Sequence, residues 1–231
     1  RFLDRIAQEP EETVAASRAS TRTLKGPVWL GLSRDIRLFQ VFYNAATQVE
    51  ITPRRHGDGL PLPETGNRNV TYLFPIGRGE ACVENITRRL EDGHLPILHQ
   101  DVDDAGIRYH ITTFVTPGQH KLTAKQLRGT HYLVADGFGA GHMFTEDQSK
   151  EFEKLKAGEL EHPDAPVLFL RIAVTNPSAT PRYAWIKAPV PGPLAEGEGV
   201  VVDGKTGRAR FRKSGRIFCL GRLDGHPLPQ T

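Results

Sequence analysis

Two tight-turn signals placed one strand apart constrain this chain more than anything else in it. Glu91-Asp92-Gly93-His94 and Asp103-Asp104-Ala105-Gly106 contain Asp-Gly and Asp-Asp-x-Gly steps, which supply the positive-φ positions that hairpin turns require. Around and between them lie apolar runs of strand length, residues 82–90, 95–101 and 107–116. The segment therefore reads as a β-meander of three strands.

The same texture fills most of the chain. Runs rich in β-branched and aromatic residues occupy 28–32, 36–43, 48–52 and 70–74, and the imperfect alternation of 36–43 fits a strand covered on both faces for part of its length. Residues 167–175 form another apolar run, followed by the turn Asn176-Pro177-Ser178-Ala179-Thr180 and a predicted partner strand at 182–188. A further hairpin joins 200–202 to 208–212 through Asp203-Gly204-Lys205-Thr206-Gly207, and 216–220 is a last strand. The 23 glycines and 17 prolines gather between these runs, where turns belong. Residues 53–69, with Pro61-Leu62-Pro63, read as a long loop, a site candidate by position alone. The internal exception to the strand texture is 145–160, where Thr145 can cap a helix with Gln148 three residues on and Phe152 and Leu155 share a face.

The expected fold is thus all-β: a large antiparallel two-sheet sandwich over 27–222 with one short internal helix. Residues 1–26, with Pro10 breaking a stretch of helix formers, read as an N-terminal helix or linker, and 223–231 as a C-terminal linker. With 38% hydrophobic and 25% charged residues the chain has ample material for a core. Thirty basic against 27 acidic side chains leave a formal charge of +3, which exerts little long-range pull on nucleic acid or anionic lipid. No apolar stretch approaches the roughly 20 residues that span a bilayer, so neither a nucleic acid nor a membrane is the expected partner. The start at Arg1 rather than Met reads as a processed or excised fragment. Both ends look cut, and the expectation is an apolar docking face near residues 53–69 and 136–144, for a missing catalytic domain or for a second copy.

Three stretches carry a resemblance: Arg88-Arg89-Leu90-Glu91-Asp92-Gly93, residues 106–115 (Gly-Ile-Arg-Tyr-His-Ile-Thr-Thr-Phe-Val), and residues 167–176 (Val-Leu-Phe-Leu-Arg-Ile-Ala-Val-Thr-Asn). In their order along 28–220 they resemble the β-sandwich, or supersandwich, domains that accompany an (α/α) barrel in bacterial glycoside hydrolases and phosphorylases. The likeness implies a non-catalytic accessory domain of a carbohydrate-active enzyme, since such families place their catalytic carboxylates in the helical barrel. It implies a partner domain and, as ligand, carbohydrate. A free-standing carbohydrate-binding or adhesion module and a structural interaction domain are the alternatives.

Residue chemistry narrows the site candidates without assigning a catalytic pair. Glycoside hydrolysis by paired carboxylates needs two of them about 5–9.5 Å apart, and Glu80, Glu84, Glu91 and Asp92 are the acids of the first half near a sheet edge. Sugars stack on flat rings. Period two sets Tyr183 and Trp185 on one face of their run, as a platform or as core, and Trp29 completes the glycan-binding candidates. Asp101, Asp103 and Asp104, next to His99, offer oxygens to a hard cation such as calcium or else form an ordinary acidic turn. The histidines show no i, i+4 pair on a helix, so spacing assigns no zinc site. Gly137, Gly139 and Gly141 make a glycine-rich loop of the wrong spacing for a dinucleotide. Arg208, Arg210 and Arg212 project to one side of a strand. Cys82 and Cys219 each sit in a strand-like run, as buried thiols or as a pair.

Overall fold

The structure, a computed structural model, describes residues 13, 15–16, 23–32, 35, 37–44, 48–55, 58–78, 86–123, 145–160, 164–223 and 226–227. Its first sheet is antiparallel and six-stranded. β1 (Val28–Gly31), β2 (Arg37–Asn44) and β3 (Gln48–Arg55) lie side by side, and β4 (Asp58–Gly59) pairs with the end of β3. The chain then makes a small excursion before it returns to the sheet. β5 (Pro61–Leu62), a 3-10 turn (Pro63–Thr65) and β6 (Arg68–Asn69) form that excursion, and β7 (Thr71–Pro75) re-enters beside β3.

The second sheet holds the meander: β8 (Ile86–Glu91), β9 (Leu95–Asp104) and β10 (Ile107–Pro117). Helix α1 (Glu146–Leu160) follows, and β11 (Pro166–Thr175) adds the fourth strand against β10. β12 (Val190–Gly192) closes the first sheet beside β7, and β13 (Val200–Asp203), β14 (Arg208–Phe211) and β15 (Ile217–Leu220) form a third, three-stranded sheet. β16 (Arg222–Leu223) and β17 (His226–Pro227) pair with each other, where a linker was expected.

Strand period explains the packing. Along β9 and β10 every second side chain is buried, from Leu98 to Asp104 and from Ile107 to Val115. These residues meet Leu30, Val41, Tyr43, Val49 and Ile51 of the first sheet in one aliphatic core, the two-layer arrangement expected of a sandwich. The turns do what their residues require: Asp92 and Gly93, and Ala105 and Gly106, all have positive φ. Helix α1 begins with the capping box, in which the Gln148 amide donates to Thr145 Oγ1 at 3.3 Å and the Thr145 amide to Gln148 Oε1 at 2.9 Å. The side chains of Phe152 and Leu155 lie outside the described residues.

An unusual inward residue crosses the core. Arg88 is buried, and burial pulls its guanidinium down to about 10. It donates to Gln100 Oε1 at 2.8 Å, Val41 O at 3.0 Å and Gly26 O at 2.6 Å. The Leu24 amide in turn donates to Arg88 O at 2.9 Å, and Leu24 packs on the core. Residues 24–26 therefore belong to the sandwich rather than to a linker.

Two sequence expectations change. The described residues of 53–69 are not a long irregular loop, because Thr65 staples 62–68: it accepts from the Leu62 amide at 3.2 Å and donates to Leu62 O at 2.8 Å, while Leu62 and Val70 are buried. Residues 182–188 do not pair with β11 as a hairpin. Pro177, Pro181 and Pro189 withhold ladder donors, and the segment instead crosses to the end of β7, where Ile186 bridges Ile76.

Candidate functional site

The crossing segment forms one wall of an open groove at the end of the sandwich. Arg78, Asp104, Ala105, Ile107, Tyr109, Arg182, Tyr183 and Trp185 line a space of about 380 Å³. Each wall is set by a local device. The Gly77 amide donates to Trp185 O at 2.8 Å and the Lys187 amide to Pro75 O at 3.1 Å. From the core side, the buried Tyr109 reaches up and its hydroxyl accepts from the Trp185 amide at 3.1 Å. Arg182 Nη1 donates to Ala105 O at 2.6 Å, clamping the segment onto the β9–β10 turn.

Two glycines make the close approaches there. Gly77, at φ 79°, lets the Asp104 carboxylate come against its Cα and accept from the Arg78 amide. Gly106, at φ 73°, leaves room for the Arg182 guanidinium. A Cβ at either position would meet those groups and strain the backbone as well.

Neither the Tyr183 nor the Trp185 ring is buried in the core. Tyr183 is 85% exposed and Trp185 49% exposed, and both line the groove. Asp104, buried in the floor, and the two arginines set hydrogen-bonding groups beside them. Burial and the Asp104 charge outweigh the bond from the Trp185 amide and leave the Tyr109 phenol raised above its ordinary value. The groove thus combines flat apolar faces with fixed polar groups of both signs, as small-molecule sites do. Among the described residues its lining contains one carboxylate, Asp104.

Trp29 stands elsewhere. It faces outward from β1 at 51% exposure, with the Arg54 guanidinium 5.5 Å from its ring centre and Arg54 Nε donating to Gln40 Oε1 at 2.8 Å. It can stack a ring of its own, but it is no part of the groove.

The three aspartates of the calcium candidate do not converge, because alternation along β9 divides them. Asp104 points inward to the groove floor, whereas Asp101 and Asp103 point outward from the same strand. Asp101 is taken up by His110 Nδ1 at 2.6 Å and Arg89 Nη1 at 2.9 Å. Burial would raise its carboxyl, and those bonds outweigh it and hold the group low. No three His, Cys, Asp or Glu side chains among the described residues converge as a metal shell.

Of the remaining candidates, Arg208, Arg210 and Arg212 alternate with buried Ala209 and Phe211, so all three guanidiniums face solvent. Glu91 sits on His99, and Asp92 is a turn residue. Cys219 is half-buried and free, and burial pushes its thiol up to about 11. Cys82, Glu80, Glu84 and the 136–144 loop lie outside the described residues. Sequence reasoning missed Tyr109, Arg78 and Arg182. Arg182 had a signal, being in the same run as the two rings, while Arg78 and Tyr109 arrive only through the tertiary crossing. No family model, curated protein or solved structure matches the chain.

Proposed function

We propose that this chain is a β-sandwich accessory domain of a carbohydrate-active enzyme and that it holds part of a glycan in the groove under Tyr183 and Trp185. The observation that carries the reading is the exposure of those two rings over a recess that also presents Arg78, Arg182 and the Asp104 carboxylate. Rings kept in water at this density are unfavourable unless something covers them. A pyranose does so with its apolar face while its hydroxyls reach the charged groups. The accessory role rests on the resemblance of the strand order to domains that flank an (α/α) barrel.

The test is titration of a panel of neutral and acidic oligosaccharides, followed by calorimetry and by fluorescence in a Trp29→Phe background, so that Trp185 alone reports. Trp185→Ala should weaken binding by about 1–2 kcal/mol, roughly 5- to 30-fold, as loss of one stacking contact does, with melting almost unchanged. If no oligosaccharide in the panel alters the fluorescence or gives heat, the reading is wrong.

A further inference from the structure

The outer face of the four-stranded sheet carries a second cluster, remote in chemistry from the groove. β9 sends His99 and Asp101 outward, and β10 sends His110 and Thr112 outward; Thr112 lies opposite His99, and His110 opposite Asp101. His99 Nε2 bonds the Glu91 carboxylate, and His110 Nδ1 bonds Asp101 Oδ1 at 2.6 Å. An ionised carboxylate only accepts. Each neutral imidazole therefore commits its one proton to its carboxylate, and the opposite nitrogen is left with a lone pair.

Those two lone-pair nitrogens face each other. His99 Nδ1 and His110 Nε2 are 3.3 Å apart, although the ring centres are 5.3 Å apart, so the rings lean together at this corner. Thr112 Oγ1 completes a triangle, 3.5 Å from His99 Nδ1 and 3.4 Å from His110 Nε2. Its single proton can serve only one of them. An electrophile held between the donors relieves the repulsion.

The triangle has the dimensions of a particular electrophile. A tetrahedral ion with nitrogen and oxygen ligands at about 2.0–2.1 Å has ligand-to-ligand edges of roughly 3.3–3.4 Å. The carboxylate behind each ring is the arrangement that fixes the tautomer and raises the basicity of a metal-bound histidine. We propose that His99, His110 and Thr112 bind a divalent first-row transition ion of the Zn²⁺ type, with Glu91 and Asp101 as positioning residues. Two imidazoles and one neutral hydroxyl make an incomplete shell, and the outer face of the sheet leaves the fourth place to water or to a ligand's own donor. Arg89, bonded to Asp101, offsets that carboxylate, and Arg171 stands opposite Thr112 in the register, so the ion is held by its donors more than by the surrounding field. The site is exchangeable rather than structural.

The test is calorimetric titration of ZnCl₂ into the chelator-treated 231-residue chain, with Cu²⁺ electron paramagnetic resonance as the second measurement. Wild type should bind a single equivalent of Zn²⁺, and its Cu²⁺ spectrum should show hyperfine splitting from two nitrogens. His99→Ala and His110→Ala should each weaken Zn²⁺ binding by more than about 10-fold and leave one nitrogen in the spectrum, and Glu91→Gln should weaken it by about 10-fold. His94→Ala, on the neighbouring turn, should change nothing. Unchanged binding in the two histidine variants overturns the proposal. So does the absence of nitrogen splitting in wild type, which would leave the pair sharing a proton. The groove plays no part in either readout, so oligosaccharide binding stands or falls separately.

Discussion

Among the described residues there are two buried clusters, and they are built by different means. The larger one is aliphatic and is assembled by strand period from both sheets of the sandwich, with Leu98, Ile111, Val41 and Val49 fully buried at its centre. The smaller one consists of Leu62, Val70 and Phe211, with Tyr72, Leu194 and Phe218 around them. It depends on fitted pieces: Tyr72 and Phe218 stack at 5.4 Å, Phe211 tilts onto Phe218 at 4.9 Å, and Arg216 Nε pairs with the buried Glu64 at 3.0 Å. Area defines the large cluster at its aliphatic positions, where a residue of the right size serves. The small one has too little area for that and is specified by ring geometry and charge. Its task is local, to seat the three-stranded sheet against the excursion between β4 and β7.

The sharpest way to break this comparison is truncation in each cluster. Leu98→Ala should cost about 3–5 kcal/mol and lower a single cooperative urea transition. Phe211→Ala should cost a similar amount in the first instance, but its effect should be regional: amide exchange should accelerate in β13–β15 while β9 and β10 keep their protection. Equal loss of protection in β9 and β10 would mean that the two clusters unfold as one.

Arg88→Ala comes next, at about 2–4 kcal/mol, because it strips Gln100 and the Val41 and Gly26 carbonyls of a donor and opens a cavity. It also tests whether 24–26 rests on that guanidinium. Residues 24–26 should become protease-sensitive in the variant, and resistance there would show that Leu24 packing suffices.

The smallest effect is an acid dependence confined to the small cluster. A hydrogen bond from Ser214 and the charge of Arg216 outweigh burial and hold the Glu64 carboxyl below the ordinary carboxylate range. A lowered folded value means that its contribution is complete above the unfolded value of about 4.3. That contribution is lost as pH falls through the folded value. Exchange in β13–β15 should therefore rise on acidification below about pH 4 before the sandwich itself responds, and Glu64→Gln should remove that step. A Glu64→Gln profile identical to wild type would assign the acid response to other groups.

Legibility in the sequence follows the same division. The turns and strand order of the meander could be read because Asp92-Gly93 and Ala105-Gly106 demand positive φ and alternation does the rest, although β9 runs on to Asp104 rather than stopping at 101, and 82–85 lie outside the described residues. The Thr145–Gln148 capping box was equally local. The excursion at 53–69 was opaque, since its order comes from one threonine hydroxyl and from Leu62 and Val70 finding Phe211 some 140 positions later. The crossing at 182–188 misled because apolar alternation is also what a ringed wall looks like. The histidine pair was within reach: a two-residue turn at 105–106 sets Thr112 opposite His99 and His110 opposite Asp101, and what hid it was a search for helical spacing.

The Tyr109 hydroxyl holds the crossing segment by the Trp185 backbone, and Gly77 and Lys187 grip backbone as well. At Trp185, anchorage and recognition are therefore carried by different atoms of one residue, backbone for the first and ring for the second. The side chains at 183, 184 and 185 can be exchanged without disturbing what fastens the segment, so a lineage or an engineer can rewrite the lining of the groove while the strands of the sandwich beneath it stay as they are.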